Sequence, residues 1–174
     1  MSSVCIAYFG CGCFWTKEFL FGKMPGVRAT RTGYMGGVTD HPTYHQVCKK
    51  DSGHAETVEV TYDEDLTSFS ELLKGFFSFH DATRDRSNNG GQYRSVVFWR
   101  KQEEKEHLES IFEALREANL PVSTSIEKAG VFWEAEERHQ GYVERTGHYC
   151  DVTPTMNLSA LSLEDVVRKR TKTD

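Results

Sequence analysis

The stretch Val4-Cys5-Ile6-Ala7-Tyr8-Phe9-Gly10-Cys11-Gly12-Cys13-Phe14-Trp15 decides how the chain is built. Its first six residues form a short apolar run that Gly10 ends, the mark of a buried strand. The glycines that follow let the backbone leave the strand and turn tightly. Phe14–Phe21 then reads as a helix, stopped by Gly22 and by Pro25-Gly26.

Working outward, Val27–Met35 resembles a strand ended by Gly36-Gly37, and Pro42–Cys48 a short helix with Asp40 or His41 near its start. Ala55–Tyr62 alternates, with Val58, Val60 and Tyr62 on one face and Thr57, Glu59 and Thr61 on the other. Ser68-Phe69-Ser70-Glu71 is a capping box that starts a helix carrying Phe69, Leu72, Leu73, Phe76 and His80 along one stripe. Residues 82–91 read as a loop and Tyr93–Trp99 as a strand. Gln102–Ala118 is a charged amphipathic helix with Leu108, Ile111, Phe112 and Leu115 inward. Val122–Ile126 and Val131–Trp133 look like strands, a helix runs from about Ala135 to Val143, and a short helix is possible at Leu163–Arg168. Strands and helices mix without strict βαβ alternation, and no glycine-rich phosphate fingerprint follows a strand. The expected class is α+β, a two-layer sandwich of helices on a mixed or antiparallel sheet.

The chain has 174 residues, near one domain's worth, so a single core needs no staples. We expect a domain over 1–150 and a polar tail over 151–174. The net charge of −5 argues against a nucleic-acid binder, which needs a basic surface. No run approaches the roughly 18 apolar residues that span a bilayer. The first residues carry no secretory pattern. Five cysteines are an odd number, and without a secretory pattern they read as thiols, redox groups or metal ligands in a reducing compartment.

Cys13 falls at or just before a helix N-terminus, where unpaired N–H groups and the helix dipole favour an anion and lower a thiol's pKa. A thiolate is the attacking form. Phe14 and Trp15 beside it suit an apolar cup for a methyl or thioether group. The same pattern also fits a buried cysteine with two core aromatics. Period two puts Glu56 on the face of Val58 and Val60, where desolvation pushes a carboxyl's pKa upward and lets it donate a proton near neutrality. If the strand began one residue later, Glu56 would be solvated instead. Tyr44 and Tyr93 follow loop-like segments, and their hydroxyls suit either an oxygen-binding role or core positions with wet ends. Glu136-Glu137-Arg138-His139-Gln140 reads as a helix face or as part of a site.

Taken together these residues resemble the A-type peptide methionine sulfoxide reductases over about Val4 to Cys150. The resemblance is carried by Gly12-Cys13-Phe14-Trp15 with Glu18, Gly33-Tyr34-Met35-Gly36-Gly37, Pro42-Thr43-Tyr44-His45-Gln46-Val47-Cys48 and Gly53-His54-Ala55-Glu56. His80-Asp81-Ala82-Thr83, Gln92-Tyr93-Arg94-Ser95, and Ala135-Glu136 with His139-Gln140 follow in the same order. The resemblance implies a ferredoxin-like sandwich and a reductase specific for the S epimer of methionine sulfoxide, free or in proteins. It implies Cys13 as nucleophile, Phe14 and Trp15 around the substrate methyl, Glu56 as acid, and Tyr44 and Tyr93 on the sulfoxide oxygen. It also implies Cys150, in Gly147-His148-Tyr149-Cys150, as resolving thiol, with thioredoxin as reductant. We expect no cofactor or metal, a cytoplasmic location, and a monomer without nucleic-acid or membrane partners.

Some positions depart from the family pattern. Cys11 stands where glycine is usual and is either inert or a competing resolving thiol. Lys49-Lys50-Asp51 replaces small residues, the loop from Arg84 to Gly91 is short, and Asn88 or Asn89 stands where an aspartate is usual. Three rival readings stand beside the reductase reading, the last of them taking its ligand from the resemblance. One is a metal site of Cys11, Cys13, Cys48, His54 and Cys150, although Cys11-x-Cys13 is atypical spacing. The second is a cysteine hydrolase or acyltransferase with His54, His80 or His139 as base. The third is an inactive module that binds oxidised methionine.

Overall fold

The structure, a computed structural model, describes residues 2–87 and 91–150. Six strands form one sheet in the order β5-β4-β1-β3-β2-β6: β1 (Val4–Cys11), β2 (Val27–Met35), β3 (Ala55–Asp63), β4 (Ser95–Trp99), β5 (Ser125–Lys128) and β6 (Trp133–Glu134). All neighbours are antiparallel except β4 and β5. The inner four, β4-β1-β3-β2, with α1 (Phe14–Gly22) and α3 (Phe69–Ser78) as crossovers, make two interleaved βαβ units, the ferredoxin-like arrangement. Helix α2 (Tyr44–Cys48) lies between β2 and β3, α4 (Gln102–Glu117) after β4, and α5 (Tyr142–Thr146) after β6. This is the α+β sandwich that the element pattern predicts.

Register explains the two faces. Phe9 pairs with Val58 on one side and Val97 on the other, so these side chains share a face. There they meet Phe14 and Phe21 of α1, Leu72, Leu73 and Phe76 of α3, and Leu108, Ile111 and Leu115 of α4 in the main core. The opposite face carries a smaller cluster of Met35, Ala55, Val96 and Phe98, roofed by Tyr8, Ala129 and Phe132. Both faces of β3 are therefore covered. Glu59 is buried on this second face, where Arg31 donates to both of its carboxylate oxygens at 2.7 and 2.9 Å.

Local signals hold where the residues make their own cap. Ser68 Oγ accepts the Glu71 N–H at 3.2 Å and starts α3. For α2 the cap is Thr43, not Asp40 or His41: its hydroxyl accepts the Gln46 N–H, and Gln46 Oε1 accepts the Thr43 N–H in return. Other boundaries shift. Strand β1 continues through Gly10 to Cys11, β4 begins at Ser95 so that Tyr93 sits in the turn before it, and β5 begins at Ser125.

The helix expected over 135–143 is broken. A 3₁₀ turn at Glu137–His139 gives way to an extended Gln140 and to Gly141 at φ 59°, before α5 begins. Gln140 is used elsewhere: its amide accepts the Thr32 N–H at 2.9 Å and donates to the Thr32 carbonyl at 2.9 Å, acting as a strand partner for the β2 edge. Gly141 supplies the left-handed turn that this requires. The tail 151–174, with the helix proposed at Leu163–Arg168, and Asn88 and Asn89 lie outside the described residues.

Candidate active site

Gly12, at φ 95°, turns the chain out of β1, and Cys13 becomes the N-cap of α1 with no side-chain cap of its own. Cys13 is disulfide-bonded to Cys150, 137 residues away in sequence. The Phe14 N–H, the first free donor of α1, points at Glu56 Oε1 at 3.3 Å. The carboxyl group and the sulfur thus flank one helix N-terminus.

Glu56 lies on the helix-facing side of β3 and is only 2% exposed. Its Oε2 accepts from Gln92 Nε2 at 2.7 Å, and its N–H donates to the Gln92 carbonyl at 2.8 Å. Burial raises the carboxyl to about 7, outweighing the opposing donors Gln92, Phe14 and Tyr93. A group balanced there is protonated for about half the time at neutral pH, and it can give its proton away.

The aromatic residues close the site. Phe14 is buried, with Tyr34 and Tyr44 rings 5.9 and 6.4 Å from its own. Trp15 stacks on Tyr142 at 3.8 Å, and its indole N–H donates to His139 Nδ1 at 2.9 Å. That bond leaves the ring proton of neutral His139 on Nε2, which has no hydrogen-bond acceptor among the described residues and lies 3.8 Å from a Glu136 oxygen. Glu136 accepts from the Tyr34 hydroxyl at 3.1 Å and from the Tyr44 N–H at 3.3 Å. Tyr44 is raised well above the usual phenol range, first by burial, then by the Glu56 charge and by its bond to Cys48. Tyr93 is 38% exposed and reaches Glu56 from the turn before β4.

All seven residues singled out in the sequence, Cys13, Phe14, Trp15, Tyr44, Glu56, Tyr93 and Cys150, therefore converge on the α1 N-terminus. Sequence reasoning did not assign Gln92 or Tyr142 to the site, and it left Glu136 and His139 open between a helix face and a part of it. Gln92 had a signal, since it directly precedes Tyr93 in a matched motif. Glu136 and His139 had the same kind of signal in the matched Ala135-Glu136 and His139-Gln140, whereas Tyr142 had none beyond being aromatic.

The metal-site and hydrolase readings lose support. Cys11 is buried beside Gly12, and burial pushes its thiol up to about 12. His54 accepts the Gly37 N–H on Nδ1 and bonds the Thr39 carbonyl through Nε2. His80 bonds the Phe76 carbonyl and Ser95 Oγ, and burial lowers it to about 4. His139 is held by Trp15. Among the described residues no cluster of three His, Cys, Asp or Glu side chains is arranged to hold a metal, and no helix is long and apolar enough to cross a membrane.

Comparison with known proteins agrees with this geometry. The family model for peptide methionine sulfoxide reductase matches residues 5–170. The peptide methionine sulfoxide reductase MsrA of Geobacter metallireducens is 45% identical over 147 residues, covering 81% of this chain and 91% of that protein. That of Methanothermobacter thermautotrophicus is 46% identical over 145 residues, covering 80% and 86%. Among solved structures, reduced Mxr1 of Saccharomyces cerevisiae superposes with a TM-score of 0.78 at 29% identity, covering 86% of this chain and 89% of that one.

Proposed function

The chain belongs to the peptide methionine sulfoxide reductase family, and from that premise we propose that Cys13, Glu56 and Cys150 reduce methionine sulfoxide, specifically its S epimer, in proteins or free. The observation that carries this reading is the shared helix N-terminus: Glu56 accepts from Phe14, directly after a Cys13 that is bonded to Cys150.

A sulfoxide sulfur is a poor electrophile until its oxygen is protonated or strongly hydrogen-bonded. The N-terminus of α1 favours an anionic Cys13 sulfur. Neutral Glu56 gives its proton to the sulfoxide oxygen as that sulfur attacks. Thiolate, sulfoxide and carboxylic acid become sulfenic acid, methionine and carboxylate, so protons and charge balance. Phe14 and Trp15 hold the substrate methyl, with His139 keeping the Trp15 ring in place. The hydroxyls of Tyr44 and Tyr93 hold the oxygen. Cys150 then condenses with the sulfenic acid to give the disulfide, which a dithiol reopens. Thioredoxin is that dithiol; yeast Mxr1, whose fold this chain shares, has been solved in complex with Trx2. The odd cysteine count supports a reducing, cytoplasmic setting.

The test mixes reduced protein with each sulfoxide epimer and no reductant, followed by mass spectrometry. The S epimer should yield about one equivalent of methionine and a chain lighter by two hydrogen atoms, with the new bond mapped to Cys13 and Cys150. Cys13→Ser should release none. A thioester adduct, or methionine release by Cys13→Ser, overturns the reading.

A further inference from the structure

Thr16 is 3% exposed on the first turn of α1, three residues after Cys13 and therefore on the same side of the helix. Its Oγ1 accepts the Cys150 N–H at 2.9 Å and donates to the Cys150 carbonyl at 2.7 Å. The same oxygen lies 3.4 Å from Cys150 Sγ. A single side chain thus grips the peptide groups of Cys150 from both directions while touching its sulfur.

We propose that Thr16 is a positioning residue that seats the resolving cysteine against Cys13. This rests on the reading of Cys150 as resolving thiol. The segment that carries Cys150 leaves α5 through Gly147, in the left-handed region at φ 70°, and belongs to no helix or strand. Its approach is guided by other residues of α1: Trp15 stacks on Tyr142, Phe19 meets the edge of Tyr149 at 5.6 Å, and Glu18 accepts the Gly141 N–H at 3.0 Å. Those contacts bring the segment near. Thr16 fixes Cys150 itself, and both of its main-chain bonds are independent of the sulfur–sulfur bond. In the reduced enzyme the same two bonds would seat Cys150 while Cys13 is a sulfenic acid.

The step served is the condensation. The Cys150 sulfur attacks the Cys13 sulfur, the S–S bond forms, the S–O bond breaks, and the departing hydroxide takes the thiol proton as water. Its rate scales with the effective concentration of Cys150 at Cys13, which a clasp raises and a free segment loses.

Thr16→Val keeps the branched shape without the hydroxyl, and Thr16→Ser keeps the hydroxyl. Reduced full-length protein is mixed with sulfoxide, quenched by alkylation and weighed, while methionine is counted separately. Thr16→Val should release its first equivalent of methionine at the wild-type rate but form the disulfide about 10- to 50-fold more slowly, the size expected for losing two hydrogen bonds. Its equilibrium with dithiothreitol should move about tenfold toward the dithiol. Thr16→Ser should restore both. Disulfide formation at the wild-type rate in Thr16→Val, or equal slowing in both variants, overturns the proposal, as does loss of the methionine burst. Cys150→Ser turning over normally with thioredoxin instead refutes the resolving assignment on which it stands.

Discussion

Replacing Glu56 by Gln tests the central carboxyl in two independent ways. Burial moves this group from its ordinary 4.5 to about 7. At about 1.4 kcal/mol per tenfold change in proton affinity, the shift corresponds to about 3 kcal/mol. The sign follows from proton counting. Between about pH 4.5 and 7 the folded protein keeps a proton that the unfolded chain has released. Raising the pH across that window therefore destabilises the fold, and above about 7 the loss is complete. Glutamine carries no such proton. The stability of Glu56→Gln relative to wild type should thus rise by about 3 kcal/mol between pH 4.5 and 8, read by urea unfolding of the disulfide form without reductant. Contributions from other titrating groups, such as Glu18, which burial raises to about 6, cancel in the difference. The kinetic half of the test moves the opposite way. Single-turnover release of methionine should slow by roughly 10²–10⁴-fold, and the wild-type decline above about pH 7 should vanish. Parallel stability curves would show that Glu56 titrates as a solvated group. An unchanged burst rate would remove it from proton transfer.

Gln92→Leu deletes a donor that holds the Glu56 carboxylate, so the acid's pKa should climb further and the alkaline limb of the single-turnover rate should move to higher pH. A limb that stays in place means that Gln92 does not set this acid. The same variant should lose about 1–3 kcal/mol of stability in urea at pH 8, where a buried carboxylate is left short of a partner. Gly12→Ala forces a side chain onto a backbone at φ 95°, with the new carbon 3.1 Å from an Arg86 nitrogen. It should cost about 1–3 kcal/mol by thermal or urea unfolding and lower the first-step rate by re-aiming Cys13. Wild-type stability and rate together would show that the turn does not need glycine.

The sequence by itself determined whatever depends on neighbours along the chain. Period two in β3 put Glu56 on the face of Val58 and Val60, and the strand, glycine and helix sequence put Cys13 at the start of α1, because side-chain direction follows from backbone geometry alone. The Ser68 cap was legible for the same reason. The break at Gly141 was not, since Gln140 leaves its helix to bond Thr32, a partner more than 100 residues earlier. The same holds for the groups that tune the site. Gln92 reaches Glu56, Trp15 meets His139, and Thr16 grips Cys150 across separations of 36, 124 and 134 residues. Only the order β4-β1-β3-β2 and the docking of the 137–150 segment on α1 bring those pairs within hydrogen-bond distance. Periodicity fixes which way a side chain faces, but what it meets there depends on how distant strands and helices pack.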